Sequence, residues 1–239
     1  MADGEWSDLS IVIPTLNEAE NLPPLLGALF ALYPGVKVVV ADDGSTDGTP
    51  SLVREIADGP LPAGSKVILI DRCRANIKGL TASVLDGLRE VRSAYCVVMD
   101  GDLQHPPEVV GRMLRELRQG VDLVAAARLP YRENQNWCRI VVTRISKWIA
   151  QQRLRLCGLR IKDPLSGLFA FRTELVQDVV AAAPGRFELR GYKVLFDLLR
   201  ALPRRTKIIE VDYQFGFRTG GRSKLRAMHA FYFLRSIFK

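Results

Sequence analysis

A chain of 239 residues, 48% hydrophobic and 25% charged, excludes a disordered polar chain and fits one core, since single cores stop growing near ~250–300 residues. Four cysteines without a Cys-x-x-Cys pair and only two histidines argue against a zinc framework and fit a reducing compartment. The net charge of +8 is segregated: residues 128–162 hold nine Lys/Arg against the single acid Glu133 and residues 218–239 hold six against none, leaving 19 bases and 25 acids elsewhere.

From residue 9 to about 126, short apolar β-branched runs alternate with amphipathic stretches, the pattern of βαβ units and a parallel sheet. Strands are predicted at 9–13, 36–41, 67–70, 95–99 and 122–126. Helices are predicted between them at 18–33, 46–57, 78–91 and 107–118, opened by capping or proline signals such as Asn17, Asp47 and Pro106-Pro107. The expected architecture is α/β, a doubly wound open sheet or half-barrel, with its ligand beyond the C-terminal ends of the strands. After residue 128 the pattern changes to two basic amphipathic segments, 139–157 and 225–238. Between them lies a short α+β stretch with Asp163-Pro164-Leu165-Ser166-Gly167 and a strand at 207–213.

The chemistry-bearing motifs all follow predicted strands. Asp100-Gly101-Asp102-Leu103-Gln104 places two carboxylates and an amide oxygen within reach of one small cation, and oxygen-only ligands select Mg²⁺ or Mn²⁺. Such an ion would bridge diphosphate oxygens and stabilise the charge of a leaving group; an ordinary acidic turn is the plainer alternative. Asp42-Asp43-Gly44-Ser45-Thr46-Asp47-Gly48-Thr49 supplies consecutive carboxylates among permissive glycines, suited to the N–H edge of a nucleobase. The same residues also suit an Asp-rich turn that caps the next helix.

Taken in order, these motifs carry a resemblance, together with Ile13-Pro14-Thr15-Leu16-Asn17-Glu18, His105-Pro106-Pro107-Glu108, Ala127-Arg128, Asp163 to Gly167, and Phe217-Arg218 through Gly221-Arg222-Ser223-Lys224-Leu225. From Leu9 to Leu225 the chain resembles family 2 glycosyltransferases of the GT-A fold, the Rossmann-like nucleotide-diphospho-sugar transferases, and within them the polyprenyl-phosphate sugar synthases. Three departures from that pattern, Leu16 for an aromatic, Ala41 for Val and Gly101 for Ala, remove no polar ligand.

The resemblance implies one catalytic domain over 1–239 with C-terminal amphipathic interface helices. It implies inverting transfer of a sugar, mannose from GDP-mannose first, to a polyprenyl or dolichyl phosphate. Pro14, Leu16, Glu18, Val40 and Asp42 would surround base and ribose, and Asp100, Gly101 and Asp102 would meet the diphosphate sugar. Asp102 and Gln104 would ligate Mg²⁺ or Mn²⁺. Arg128, Arg218 and Lys224 would close on the nucleotide, with Arg144, Arg222 and Ser223 on the acceptor phosphate. A lipid monophosphate has a second pKa near ~6, so it can attack without a strong protein base; the site needs cations that align two anions.

Residues 139–157 gather Val141, Ile145, Trp148, Ile149 and Leu156 on one helical face beside Arg144, Lys147, Gln151 and Arg155, the pattern of an interfacial helix. Residues 227–238 add Met228, Phe231, Tyr232, Phe233, Leu234, Ile237 and Phe238. Residues 1–8 lack the basic start and apolar stretch of a signal peptide. The most apolar run, 25–41, is broken by Pro34-Gly35 and Lys37, short of the roughly 18 residues a bilayer span needs. The expectation is a peripheral protein at the cytoplasmic face of a membrane, with small membrane subunits among its partners.

Two further enzymatic readings use UDP-glucose or another UDP-sugar as donor, or a glycan acceptor with a carboxylate base. A third takes the basic segments as a nucleic-acid surface, but clustered Asp42, Asp100 and Asp102 would repel a phosphate backbone, so no nucleic-acid partner is expected.

Overall fold

The computed structural model describes residues 5–129, 137–216 and 227–238. The elements in chain order are β1 (Leu9–Thr15), α1 (Leu22–Leu32), β2 (Lys37–Asp42), α2 (Thr49–Asp58), β3 (Lys66–Asp71), α3 (Leu80–Glu90), β4 (Tyr95–Val98), α4 (Glu108–Arg118) and β5 (Leu123–Arg128). Then come α5 (Trp137–Leu156), β6 (Phe169–Arg172), α6 (Thr173–Ala182), α7 (Val194–Ala201), β7 (Ile208–Tyr213) and α8 (Ala227–Phe238).

The strands form one seven-stranded sheet in the order β3-β2-β1-β4-β6-β5-β7. All seven residues of β1 are buried, as expected of a central strand covered on both faces, where apolar runs need not alternate with polar residues. One face packs Ile11, Ile13, Val38, Val40, Val97 and Met99 against α1 and α4. The other packs Val12, Val39, Cys96, Val98, Phe169 and Phe171 against α3, α6, α7 and the inner sides of α5 and α8. At Gly87 an added Cβ would lie 2.6 Å from a methyl of Val12, so α3 can seat on β1 this closely only with glycine there.

The sheet is mixed where an all-parallel one was expected. The unforeseen β6 runs antiparallel between β4 and β5, pairing Val98 with Phe169 and Ala125 with Phe169 on its two sides. Phe169, Ala170 and Phe171 are all buried, so this short strand carries no alternation from which it can be read.

The first two helices also start later than expected. Pro23 and Pro24 have no N–H to return to residues 19 and 20, so α1 begins at Leu22. Gly48 at φ +90° and Pro50 set the start of α2 at Thr49. Asn17 caps no helix: it sits at φ +53° and its side chain binds the neighbouring loop.

Candidate active site

The sheet register aligns the strand ends that carry the motifs. Asp71 lies beside Asp42, Asp42 beside Thr15, and across the sheet Arg128 beside Tyr213. The loops after β1 and β2 are locked together. The Asn17 N–H donates to Ser45 Oγ at 2.7 Å, Thr46 N–H to Asn17 Oδ1 at 2.8 Å, and Ala19 N–H to Asp47 Oδ2 at 3.0 Å.

Asp42 organises this pair of loops. Its Oδ1 accepts from Thr15 Oγ1 at 3.1 Å and from Ser45 Oγ, and its Oδ2 accepts from the N–H groups of Gly44 and Ser45 at 3.0 and 2.8 Å. The carboxylate is wholly buried, so what it offers a nucleotide in this structure is the shape of the loop. Val40 is likewise buried in the core and Pro14 in β1. Leu16 is exposed at the mouth, and Glu18 lies buried with Asn21 Nδ2 donating to its Oε2 at 2.6 Å.

Asp43 points the other way, into a charge network that sequence reasoning missed. It pairs with Arg72 and accepts from Gly79 N–H at 2.7 Å. Burial raises its pKa, and Arg72 and the Gly79 N–H only partly offset that. The buried Arg72 also reaches Asp86, Ser83 Oγ and the Ile77 carbonyl, each at 2.7 Å. The available signal was its place directly after β3, matching the other motif residues.

After β4 the chain makes a tight turn with Leu103 at φ +60°. Asp102 Oδ1 accepts from Gln104 N–H at 3.3 Å, and Gln104 Nε2 donates to the Gly216 carbonyl at 3.3 Å. Gly101 packs against Ile13, Thr15 and Glu18. Behind Asp100 lies buried His105, with Nε2 3.4 Å from Asp100 Oδ2 and Nδ1 2.8 Å from Tyr213 Oη. Burial raises the Tyr213 pKa. The phenol therefore keeps its proton, and the His105 ring bridges it to the Asp100 carboxylate.

At the end of β5, Arg128 grips the buried carboxylate of Asp163 with Nε at 2.7 Å and Nη2 at 3.2 Å, and stacks over Phe215. Burial opposes the charge of Asp163, but the hydrogen bonds and charge of Arg128, with Lys147 behind, outweigh it and hold the carboxyl below the ordinary range. Gly167, four residues on, lies against Asp100: a Cβ there would stand 2.6 Å from Asp100 Cγ. The loop 163–167 thus joins the Asp100 side of the site to the Arg128 side. Arg218, Arg222, Ser223 and Lys224 lie outside the described residues.

The outer faces of α5 and α8 are apolar and unburied. Val142 and Trp148 are each 60% exposed, with Ile145, Leu156, Phe231 and Leu234 also open to solvent, and Arg144 is exposed among them. Ile149, expected on this face, instead packs inward near Ala150 and Leu154. Among the described residues no helix is long and apolar enough to cross a membrane.

The α/β sheet, with its acidic and basic loops gathered at the strand ends, is of the GT-A type. The profile of "Glycosyl transferase family 2" matches residues 10–180, and the chain belongs to that family. It is 35% identical over 97% of its length to a dolichol-phosphate mannosyltransferase of Pyrococcus furiosus, of which it spans 63%, so more than a third of that relative lies outside the match. It is 33% identical over 90% of its length to a polyprenol monophosphomannose synthase of Mycolicibacterium smegmatis, of which it spans 80%. Among solved structures, the glucosyl-3-phosphoglycerate synthase of Mycobacterium tuberculosis in complex with Mn²⁺, UDP-glucose and glycerol 3-phosphate shares the fold. Its TM-score is 0.62 at 21% identity, covering 96% of this chain and 77% of that one.

Proposed function

We propose that this chain transfers a hexose with inversion from a nucleoside diphosphate sugar to the phosphate of a polyprenyl or dolichyl monophosphate, with GDP-mannose as first donor and a UDP-sugar as second. The observation that carries the reading is the loop 163–167, which sets a cation clamp at Arg128 beside the Asp100 face. The names of the curated relatives support the acceptor class.

In this reading an acceptor phosphate oxygen attacks the anomeric carbon from the face opposite the nucleotide. The bond from that carbon to the β-phosphate oxygen breaks, and the nucleoside diphosphate leaves with the electron pair. A phosphate dianion needs no base, so the task of the chain is to align two anions. Leu16 and the interlocked loops after β1 and β2 hold the nucleoside. Asp100, steadied by His105, faces the sugar diphosphate, and Arg128, with Arg218 and Lys224, draws the phosphates into line. Arg144, Arg222 and Ser223 bind the acceptor phosphate.

Asp102 and Gln104 would hold a divalent cation through oxygen donors alone, and among the described residues no group of three His, Cys, Asp or Glu side chains offers another site. Mg²⁺ or Mn²⁺ held there would supply Lewis-acid stabilisation of the departing diphosphate. The apolar outer faces of α5 and α8 would rest on the cytoplasmic surface of a membrane, where small membrane subunits are further partners.

The test is transfer of radiolabelled sugar from GDP-mannose, UDP-glucose or UDP-N-acetylglucosamine into organic-extractable lipid, with a polyprenyl phosphate and Mg²⁺ or Mn²⁺. EDTA-sensitive label in the lipid phase is expected, and the labelled donor names the base. Nucleotide binding without lipid label from any donor would overturn the acceptor assignment.

A further inference from the structure

The Arg128 clamp is shared with its own chain. Two of its nitrogens hold the buried carboxylate of Asp163, which orients the guanidinium and offsets part of its charge. An incoming phosphate gains most from a cation that is not already paired, and one rests against the loop 163–167. Lys193, at the start of α7, directs its amine to the Leu165 carbonyl at 3.2 Å and lies 4.5 Å from the Tyr192 ring. Leu165 stands midway between Asp163, which holds Arg128, and Gly167, which abuts Asp100. The three-residue span from Asp163 to Leu165 therefore ties Lys193 to the Arg128 side, and the next two residues tie it to the Asp100 side.

We propose that Lys193 is an acceptor-phosphate ligand, the cation that receives the phosphomonoester between Arg128 and the Asp100 face. The inference rests on the phosphate-acceptor reading above. Among the described residues the amine spends one hydrogen bond on a neutral carbonyl and faces no carboxylate in a salt bridge, so two N–H groups are left for a phosphate. The charged groups it senses are Arg128, Asp100 and Asp163, the residues that frame the site. Burial, with Arg128 adding to it, lowers its pKa to about 8. The amine is thus held in a site where an added anion would be welcome. A lysine in this position also fits an acceptor that arrives as an anion better than a sugar hydroxyl, which would need a base.

Two measurements test this. In the first, transfer kinetics of the wild type, Lys193→Met and Lys193→Arg are compared with farnesyl phosphate in detergent as acceptor. Lys193→Met should raise the acceptor KM by on the order of tenfold to a hundredfold, the worth of one charge-assisted hydrogen bond. Nucleoside diphosphate affinity should stay within about twofold, and Lys193→Arg should recover much of the acceptor KM. An unchanged acceptor KM, or a nucleotide Kd that shifts equally, would overturn the assignment.

The second measurement is independent of turnover. The native protein is acetylated at pH 8 with and without farnesyl phosphate or inorganic phosphate, and modification of Lys193 is read by mass spectrometry. Selective protection of Lys193 by the phosphate compound is expected, and equal labelling in its presence would overturn the proposal. If the wild type makes no lipid-linked sugar yet phosphate still protects Lys193, the polyprenyl acceptor fails and the phosphate site stands.

Discussion

Replacing Gly167 with alanine should disable the enzyme while leaving it folded. No left-handed φ is required at Gly167, so the backbone accepts alanine. The cost falls on Asp100: the new Cβ would lie 2.6 Å from Asp100 Cγ, whereas ordinary contact begins at 3.4 Å. The carboxylate must retreat by about 0.8 Å at Cγ and more at Oδ2. Misplacement of a reacting group by ~1 Å costs about 10²-fold, or roughly 2.7 kcal/mol of barrier. The assay is lipid-linked sugar formation at saturating substrates, with thermal melting alongside. In an Asp100→Ala background the same change should cost little more, because the colliding group is gone. A kcat within about threefold of wild type, or a fall in Tm large enough to signal global loss of packing, would refute the reasoning.

Asp163→Asn removes the charge that holds Arg128 and should destabilise the fold by roughly 3 kcal/mol, read by urea denaturation. Because the folded carboxyl lies below the ordinary aspartate value of ~3.9, this stabilisation is complete above that pH and is lost as pH falls through the folded value. The variant should therefore show a flatter acid limb than wild type, and parallel limbs would refute the assignment. Tyr213→Phe removes the hydroxyl that hydrogen-bonds His105 Nδ1. It should lower kcat by about tenfold with a stability loss near ~1 kcal/mol; an unchanged kcat would show that the His105 contact does not position Asp100. Trp148→Glu should weaken sedimentation with anionic liposomes by roughly tenfold or more and leave transfer to detergent-dispersed farnesyl phosphate intact. Unchanged liposome binding would turn attention from α5 to another face.

The parts of this molecule that could be read from sequence are those written locally. Ile11 to Ile13, Val38 to Val40 and Val97-Val98 are continuous apolar runs between helices, so five parallel-type strands and the acidic turns after them emerge directly. Membership of glycosyl transferase family 2 follows from those turns in order, and the family match agrees. What stayed hidden is set by distant partners. Phe169 to Arg172 become a strand only because β4 and β5 leave a slot between them. Arg72 meets Asp43 across 29 residues and His105 meets Tyr213 across 108, and neither pairing has a local signature. Asp42 was legible as a strand-end acid, but not that Thr15 and its own loop together spend four hydrogen bonds on it. Lys193 has no motif around it and gains significance only from the loop it touches.

The antiparallel strand between β4 and β5 also sets a distance. Adjacent strands lie ~4.8 Å apart, so one interposed strand puts the ends of β4 and β5 roughly 10 Å apart. Were those strands neighbours, Asp100 and Arg128 would face each other at salt-bridge range and cancel. With β6 between them, the guanidinium turns to Asp163 and the Asp100 carboxylate stays apart from it. A strand only four residues long thus acts as a spacer between the two halves of the site.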